Sequence, residues 1–219
     1  MPRTFHPATN AVARASAVAV PMGVLLLVVA AYAFQRSPYV SDQAVVIEQP
    51  VPFSHKHHVS GLGIDCRYCH TSTETSQYAG VPPTKTCMSC HSQLYNGSDM
   101  LRPVRDSWAT NKPIAWSRVH NVPHYVLFPH DIHVNKGVGC STCHGAVQEM
   151  PLVFQNATLQ MQWCLNCHRE PEKYLRPAEE IFNGNYVPPA NQLELGRQLV
   201  IDYHIRSRQK LESCSTCHY

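Results

Sequence analysis

The chain has 219 residues, a formal net charge of +3, charged residues at 15% and 17 prolines. So weak a charge, with no basic run interleaved with aromatics, excludes nucleic acid as a partner, and the moderate apolar content excludes a large self-sufficient core. A Gly-rich phosphate loop, a nucleophile elbow and a dinucleotide fingerprint are all missing, which removes the enzyme classes built on them.

The first predicted element is an apolar helix. Ala15 to Phe34 runs for twenty residues without a charge, long enough to cross a hydrocarbon core of roughly 30 Å. Arg3 and Arg14 precede it, so the positive-inside rule puts residues 1–14 in the cytoplasm, residues 15–35 in the membrane and residues 36–219 outside. That is a single-pass protein of a bacterial cytoplasmic membrane with its main domain on the periplasmic side. Ala31-Tyr32-Ala33 resembles a signal cleavage site, but the apolar run is longer than a signal core of about 7–15 residues. Pro21 either kinks the span or marks its first turn.

Beyond the helix, five Cys-x-x-Cys-His motifs take up all ten cysteines: Cys66, Cys69 and His70; Cys87, Cys90 and His91; Cys140, Cys143 and His144; Cys164, Cys167 and His168; Cys214, Cys217 and His218. Two thiols three residues apart each form a thioether to one porphyrin vinyl group, and the adjacent histidine becomes the proximal iron ligand. The motifs predict five covalently attached haem c groups. Zinc needs two Cys pairs per site, which leaves one of five pairs over and every fifth-position histidine idle. Disulfides within the motifs close loops too short to stabilise much. The expected fold is mostly irregular with short α-helices, a multihaem cytochrome c fold organised around five haems, plus the one N-terminal transmembrane helix.

Successive motifs start 21, 53, 24 and 50 residues apart, a rhythm that suggests a duplicated two-haem unit over about 53–91 and 128–168, with a lone fifth haem over 204–218. Phe53-Ser-His55-Lys-His-His58-Val and Phe128-Pro-His130-Asp-Ile-His133-Val share the pattern Phe-x-His-x-x-His-Val ahead of a Gly-containing loop. Histidines three apart on a helical turn share a face and can reach two neighbouring irons. His55 and His58 are therefore expected as distal ligands of the first and second haems, His130 and His133 of the third and fourth. At this element the chain resembles the class III multihaem cytochromes c. His6 and His57 are read as ordinary side chains. For the fifth haem the distal candidates are His120, His204, His124 and the methionines Met100, Met150 and Met161; the spacing from His204 to Cys214 equals that from His130 to Cys140.

Fourteen histidines suffice for two per iron with spares, and six-coordinate irons carry electrons instead of binding substrate. No catalytic residue is expected, and bis-histidine ligation favours low potentials. Trp108, Trp116 and Trp163 are read as packing at haem edges. Glu170, Glu172, Glu179 and Glu180 fall in a loop or short helix, and Gln192 to Ile205 reads as an amphipathic helix through Leu193, Leu195, Leu199, Val200 and Tyr203.

The membrane helix, the five motifs, the duplication and the segment Ile114-Ala-Trp116-Ser-Arg-Val-His120-Asn-Val-Pro123 together resemble the pentahaem subunit of alternative complex III. The resemblance covers nearly the whole chain and favours His120 as fifth distal ligand; His124 stands where relatives often carry an acidic residue. It implies an electron-transfer subunit of a membrane quinol-oxidising complex. The implied partners are an iron–sulfur subunit, polytopic quinol-binding subunits and a monohaem cytochrome c. The alternative is a stand-alone membrane-anchored multihaem quinol dehydrogenase feeding a periplasmic reductase.

Overall fold

The computed structural model describes His6 and residues 8–218; Arg3, one of the two arginines that orient the N-terminal helix, lies outside them. The chain forms two compact units, divided after Gln43. In the first, α1 runs over Ala8–Gln35 and α2 over Pro38–Ser41. The helix starts seven residues ahead of the uncharged run, because Thr9, Asn10 and the alanines around Arg14 continue it without a breaker. Pro21 lies well inside the helix, where it removes one hydrogen bond without ending the element. By length and composition α1 is apolar enough to cross a membrane. Pro38 opens α2, and Asp42 closes it with φ 52°, its N–H donating to the Pro38 carbonyl.

The second unit is helical and irregular, with three isolated β-bridges and no strand among the described residues. Its helices are α3 (Cys66–Cys69), α4 (Thr84–His91), α5 (Arg102–Thr110), α6 (His130–Asn135), α7 (Cys140–His144), α8 (Met161–Arg169), α9 (Gln192–Asp202), α10 (Arg208–Leu211) and α11 (Cys214–Cys217). A π-helical turn covers Lys56–Gly61. Buried apolar side chains are few and scattered: Val51, Val104, Val134, Met150, Ala157, Ile181 and Leu199, with Leu175 the most enclosed at 2% exposure. The amphipathic segment at 192–205 is α9; it buries Gly196 and Leu199 while Leu193 stays exposed. Gln192 fastens it by donating to the Glu172 and Leu175 carbonyls at 3.1 and 2.8 Å. The acidic stretch forms two short 3-10 turns, Pro171–Lys173 and Ala178–Glu180.

The duplicated Phe-x-His-x-x-His elements adopt one geometry twice. Phe53 lies 4.9 Å from His55 and 4.4 Å from His58, at 88° and 24°. Phe128 lies 4.9 Å from His130 and 4.5 Å from His133, at 86° and 26°. The turns differ in one respect, since the first is π-helical and the second is α6. From His58 to Cys66 there is one residue more than from His133 to Cys140, and a π turn holds one extra residue within otherwise helical geometry. Both turns then end on a left-handed glycine, Gly63 at φ 70° and Gly137 at φ 83°, a backbone that a side chain at Cβ would strain.

Each turn also leans on the other repeat, about 53–91 leaning on 128–168 and the reverse. Lys56 N–H donates to the Met150 carbonyl at 3.0 Å, and Asp131 N–H to the Ser76 carbonyl at 3.2 Å. Ser60 Oγ donates to the Gln148 carbonyl at 2.8 Å, and Asn135 Nδ2 to the Glu74 carbonyl at 2.9 Å.

Candidate haem-binding site

All five motifs sit on helical turns. α3, α7 and α11 are short turns that begin at the first cysteine, while α4 and α8 carry their motifs at the C-terminal end. A spacing of three on a helix brings both thiols to one side. The ten cysteines are unpaired thiols, six of them raised chiefly by burial, with Cys143 pushed up to about 12 and Cys167 to about 11.

The histidines converge in pairs. Ring centroids lie 6.5 Å apart for His55 and His70, 6.1 Å for His58 and His91, 6.5 Å for His130 and His144, and 6.3 Å for His133 and His168. A metal–imidazole bond of about 2.0 Å, with the ring centre a further ~1.1 Å behind the nitrogen, puts two trans imidazoles ~6.3 Å apart across one metal ion. Three of the pairs are near parallel, at 2°, 14° and 20°; His58 and His91 are turned to 65°. The residues present therefore fit haem iron at four positions, each between two histidines that the structure brings face to face.

Hydrogen bonding prepares the same nitrogens. Nδ1 donates to a backbone carbonyl in His58 (Ser54, 2.8 Å), His70 (Gly80, 2.7 Å), His91 (Leu94, 3.1 Å), His130 (Gln77, 2.9 Å), His133 (Pro129, 2.8 Å) and His168 (Leu211, 2.9 Å). A carbonyl only accepts, so Nδ1 keeps the proton and Nε2 presents its lone pair to a metal. Burial keeps the rings neutral as ligation requires: it lowers His55 to about 4, helped by His70, and His144 to about 3, helped by His120. His133 is lowered mainly by burial as well. His55 Nδ1 is buried without a hydrogen-bond partner.

The fifth motif is arranged differently. His218 Nδ1 approaches the Tyr125 carbonyl at 3.4 Å, and its ring faces Tyr125 at 5.7 Å instead of an imidazole. His120, a sequence candidate for its partner, has its Nε2 3.2 Å from Nδ1 of His144 and its ring 4.2 Å from that ring. His204 is exposed, at φ 52°, with Nδ1 donating to the Ile201 carbonyl at 3.0 Å, which leaves Nε2 free. His124 packs against Tyr125 at 5.7 Å. Met100 and Met161 are exposed and Met150 is buried.

The motifs neighbour one another out of chain order. The Cys66 and Cys140 thiols act on one another, an interaction that lowers Cys66 and raises Cys140. Cys87 adds to the raising of Cys69, Cys167 and Cys164 to that of Cys143, and Cys217 to that of Cys164. These electrostatic neighbours run from the second motif to the first, third, fourth and fifth. α8 is further tied to the C-terminal segment by Arg169 and Glu212, 2.6 Å apart. Arg176, which no motif singles out, is buried against the third motif, with Nη2 3.1 Å from Ser141 Oγ and from Thr142 Oγ1.

Residues 126–219 match the family described as cytochrome c7 and related cytochrome c. The chain is also 32% identical over 143 residues to the multihaem cytochrome c subunit of menaquinone reductase from Nitratidesulfovibrio vulgaris, covering 55% of this chain and 68% of that one.

Proposed function

Since the chain belongs to the family of multihaem cytochrome c subunits that includes this relative, we propose that it is the electron-transfer subunit of a membrane quinol-oxidising complex, relaying electrons through five haems to an external acceptor. The observation that carries the reading is the set of four facing histidine pairs at 6.1–6.5 Å. With both axial positions filled by protein, an iron has no site for a substrate and is suited to passing electrons.

His55 and His70 hold the first haem in this scheme, His58 and His91 the second, His130 and His144 the third, His133 and His168 the fourth, and His218 the fifth. His204 is its distal ligand, because its Nε2 is free whereas that of His120 is engaged by His144. The bound groups supply reversible one-electron chemistry at iron. The protein fixes the tautomers through the carbonyls around them and sets the order second, first, third, fourth, fifth. The two ends of that order, near Leu94 and near His218, are where donor and acceptor dock. α1 anchors the domain to the membrane, residues from Ala44 onward lie on the periplasmic side, and iron–sulfur, quinol-binding and monohaem subunits are its partners.

The test is to extract the tagged chain from its own membranes in mild detergent, identify what co-purifies and follow haem reduction optically. Reduction by menaquinol within an assembly of polytopic and iron–sulfur subunits is the expected result. Reduction only by a reduced soluble cytochrome, with quinone as the final acceptor, reverses the direction. Isolation of the chain alone in a menaquinol-reducible form supports a free-standing quinol dehydrogenase.

A further inference from the structure

The two units differ electrostatically at equivalent places. In the first, the residue before the motif is Asp65, and its carboxylate pairs with Arg67 at 2.9 Å on the surface. In the second, the equivalent residue is Gly139, and the space a side chain would take holds a guanidinium: a Cβ on Gly139 would lie 2.2 Å from Cζ of Arg176. Arg176 is 6% exposed. It donates to Ser141 Oγ and Thr142 Oγ1 at 3.1 Å and to the Glu180 and Asn183 carbonyls at 3.4 Å, and it stacks on the Tyr186 ring at 4.5 Å. Nε is buried with no partner, and among the described residues no carboxylate forms an ion pair with the group.

A guanidinium does not give up its proton in a protein, so this is a fixed positive charge in a low-dielectric setting. Neutral acceptors satisfy its hydrogen bonds without cancelling the charge. Ser141 and Thr142 are the two residues between the cysteines of the third motif, so the cation bears directly on that attachment loop. Reduction of an iron from the ferric to the ferrous state adds one electron, and a nearby buried cation without an ion-pair partner, with the Glu180 carboxylate acting on it only at longer range, favours the added negative charge.

Resting on the five-haem reading, we infer that Arg176 raises the reduction potential of the third centre above that of its counterpart, the first, making an electron sink in the middle of the relay. Electrons arriving from either side are thereby drawn to the junction between the units.

The experiment is an optical and EPR redox titration of the intact holoprotein, with the third centre identified as the component that His130→Ala turns high-spin. Arg176→Gln is expected to lower that potential alone, and Arg176→Lys to restore most of it. If Arg176→Gln does not accumulate, Ser141→Asp supplies a carboxylate to the cation, leaves the cation in place and is expected to lower the same potential. An unchanged potential in Arg176→Gln or Ser141→Asp, or an equal drop in Arg176→Lys, overturns the inference. Mass analysis of the peptide containing Cys140 and Cys143 separates this from failure of the underlying reading: a wild-type peptide without haem overturns both.

Discussion

His120 Nε2 lies 3.2 Å from Nδ1 of His144, the two rings meeting at 76°. Six of the paired histidines give their Nδ1 proton to a backbone carbonyl; the Nδ1 of His144 is hydrogen-bonded to another imidazole instead. A residue whose Nε2 is engaged in this bond is not free to ligate iron through the same atom. His120→Ala is therefore expected to leave five haems attached and low-spin, whereas His204→Ala turns one of the five high-spin. EPR of the oxidised protein distinguishes them, and a high-spin signal in His120→Ala alone would reverse the assignment.

The facing pairs lead to a second expectation. His58→Ala and His133→Ala each remove one distal imidazole but touch no thioether. Each variant is expected to keep five covalent haems, measured as the pyridine haemochrome, with one of five becoming high-spin. Two fully low-spin variants would sink the scheme in which one turn serves two irons.

The π turn makes the length of the first loop adjustable. Gly63 N–H reaches back to Val59 across one residue more than Gly137 N–H spans to Val134, and the next residues, Ile64 and Val138, close on His58 and His133 at 3.1 and 3.0 Å. Deleting Leu62, which is 61% exposed, is expected to turn the π turn into an α turn like α6, with haem content and spin state unchanged. Loss of the first or second haem on that deletion would show that the extra residue is required.

Glu212 joins two arginines, Arg169 at 2.6 Å and Arg208 at 3.3 Å. The hydrogen bond from Arg169 is the larger cause of a carboxyl held below its ordinary value. A carboxyl that is more acidic when fastened than when free stabilises the fastened state above its ordinary value of about 4.3 and loses that contribution as pH falls. Hydrogen exchange over residues 208–218 should quicken as pH drops through that range, after correction for intrinsic rates. Glu212→Gln should exchange fast already at pH 7 and show little further pH dependence. An exchange profile identical in variant and wild type would exclude the role.

The cysteine motifs and the Phe-x-His-x-x-His turns are legible in the chain because the proposed chemistry, covalent attachment and axial ligation, would dictate their spacing directly. Phe53 and Phe128 mark the repeat for the same reason, each packing on both histidines of its turn. The π turn is hidden, since a single extra residue between Val59 and Gly63 reads as ordinary loop variation. α1 begins at Ala8 instead of Ala15 because helix propensity continues past the point where hydropathy stops. Arg176 and the contact between His120 and His144 are through-space relationships with no local pattern. The neighbour order of the motifs belongs to the same class, as it depends on the packing of segments more than fifty residues apart.

The Cys66 thiol interacts with that of Cys140, its own equivalent in the other repeat. Lys56 reaches for Met150 as Asp131 reaches for Ser76, and Ser60 for Gln148 as Asn135 for Glu74. Such reciprocity, in which a surface meets a copy of itself, is the mark of an isologous interface around a two-fold axis. The two repeats thus meet as the halves of a dimer do, within one polypeptide, each supplying backbone carbonyls to the turn of the other.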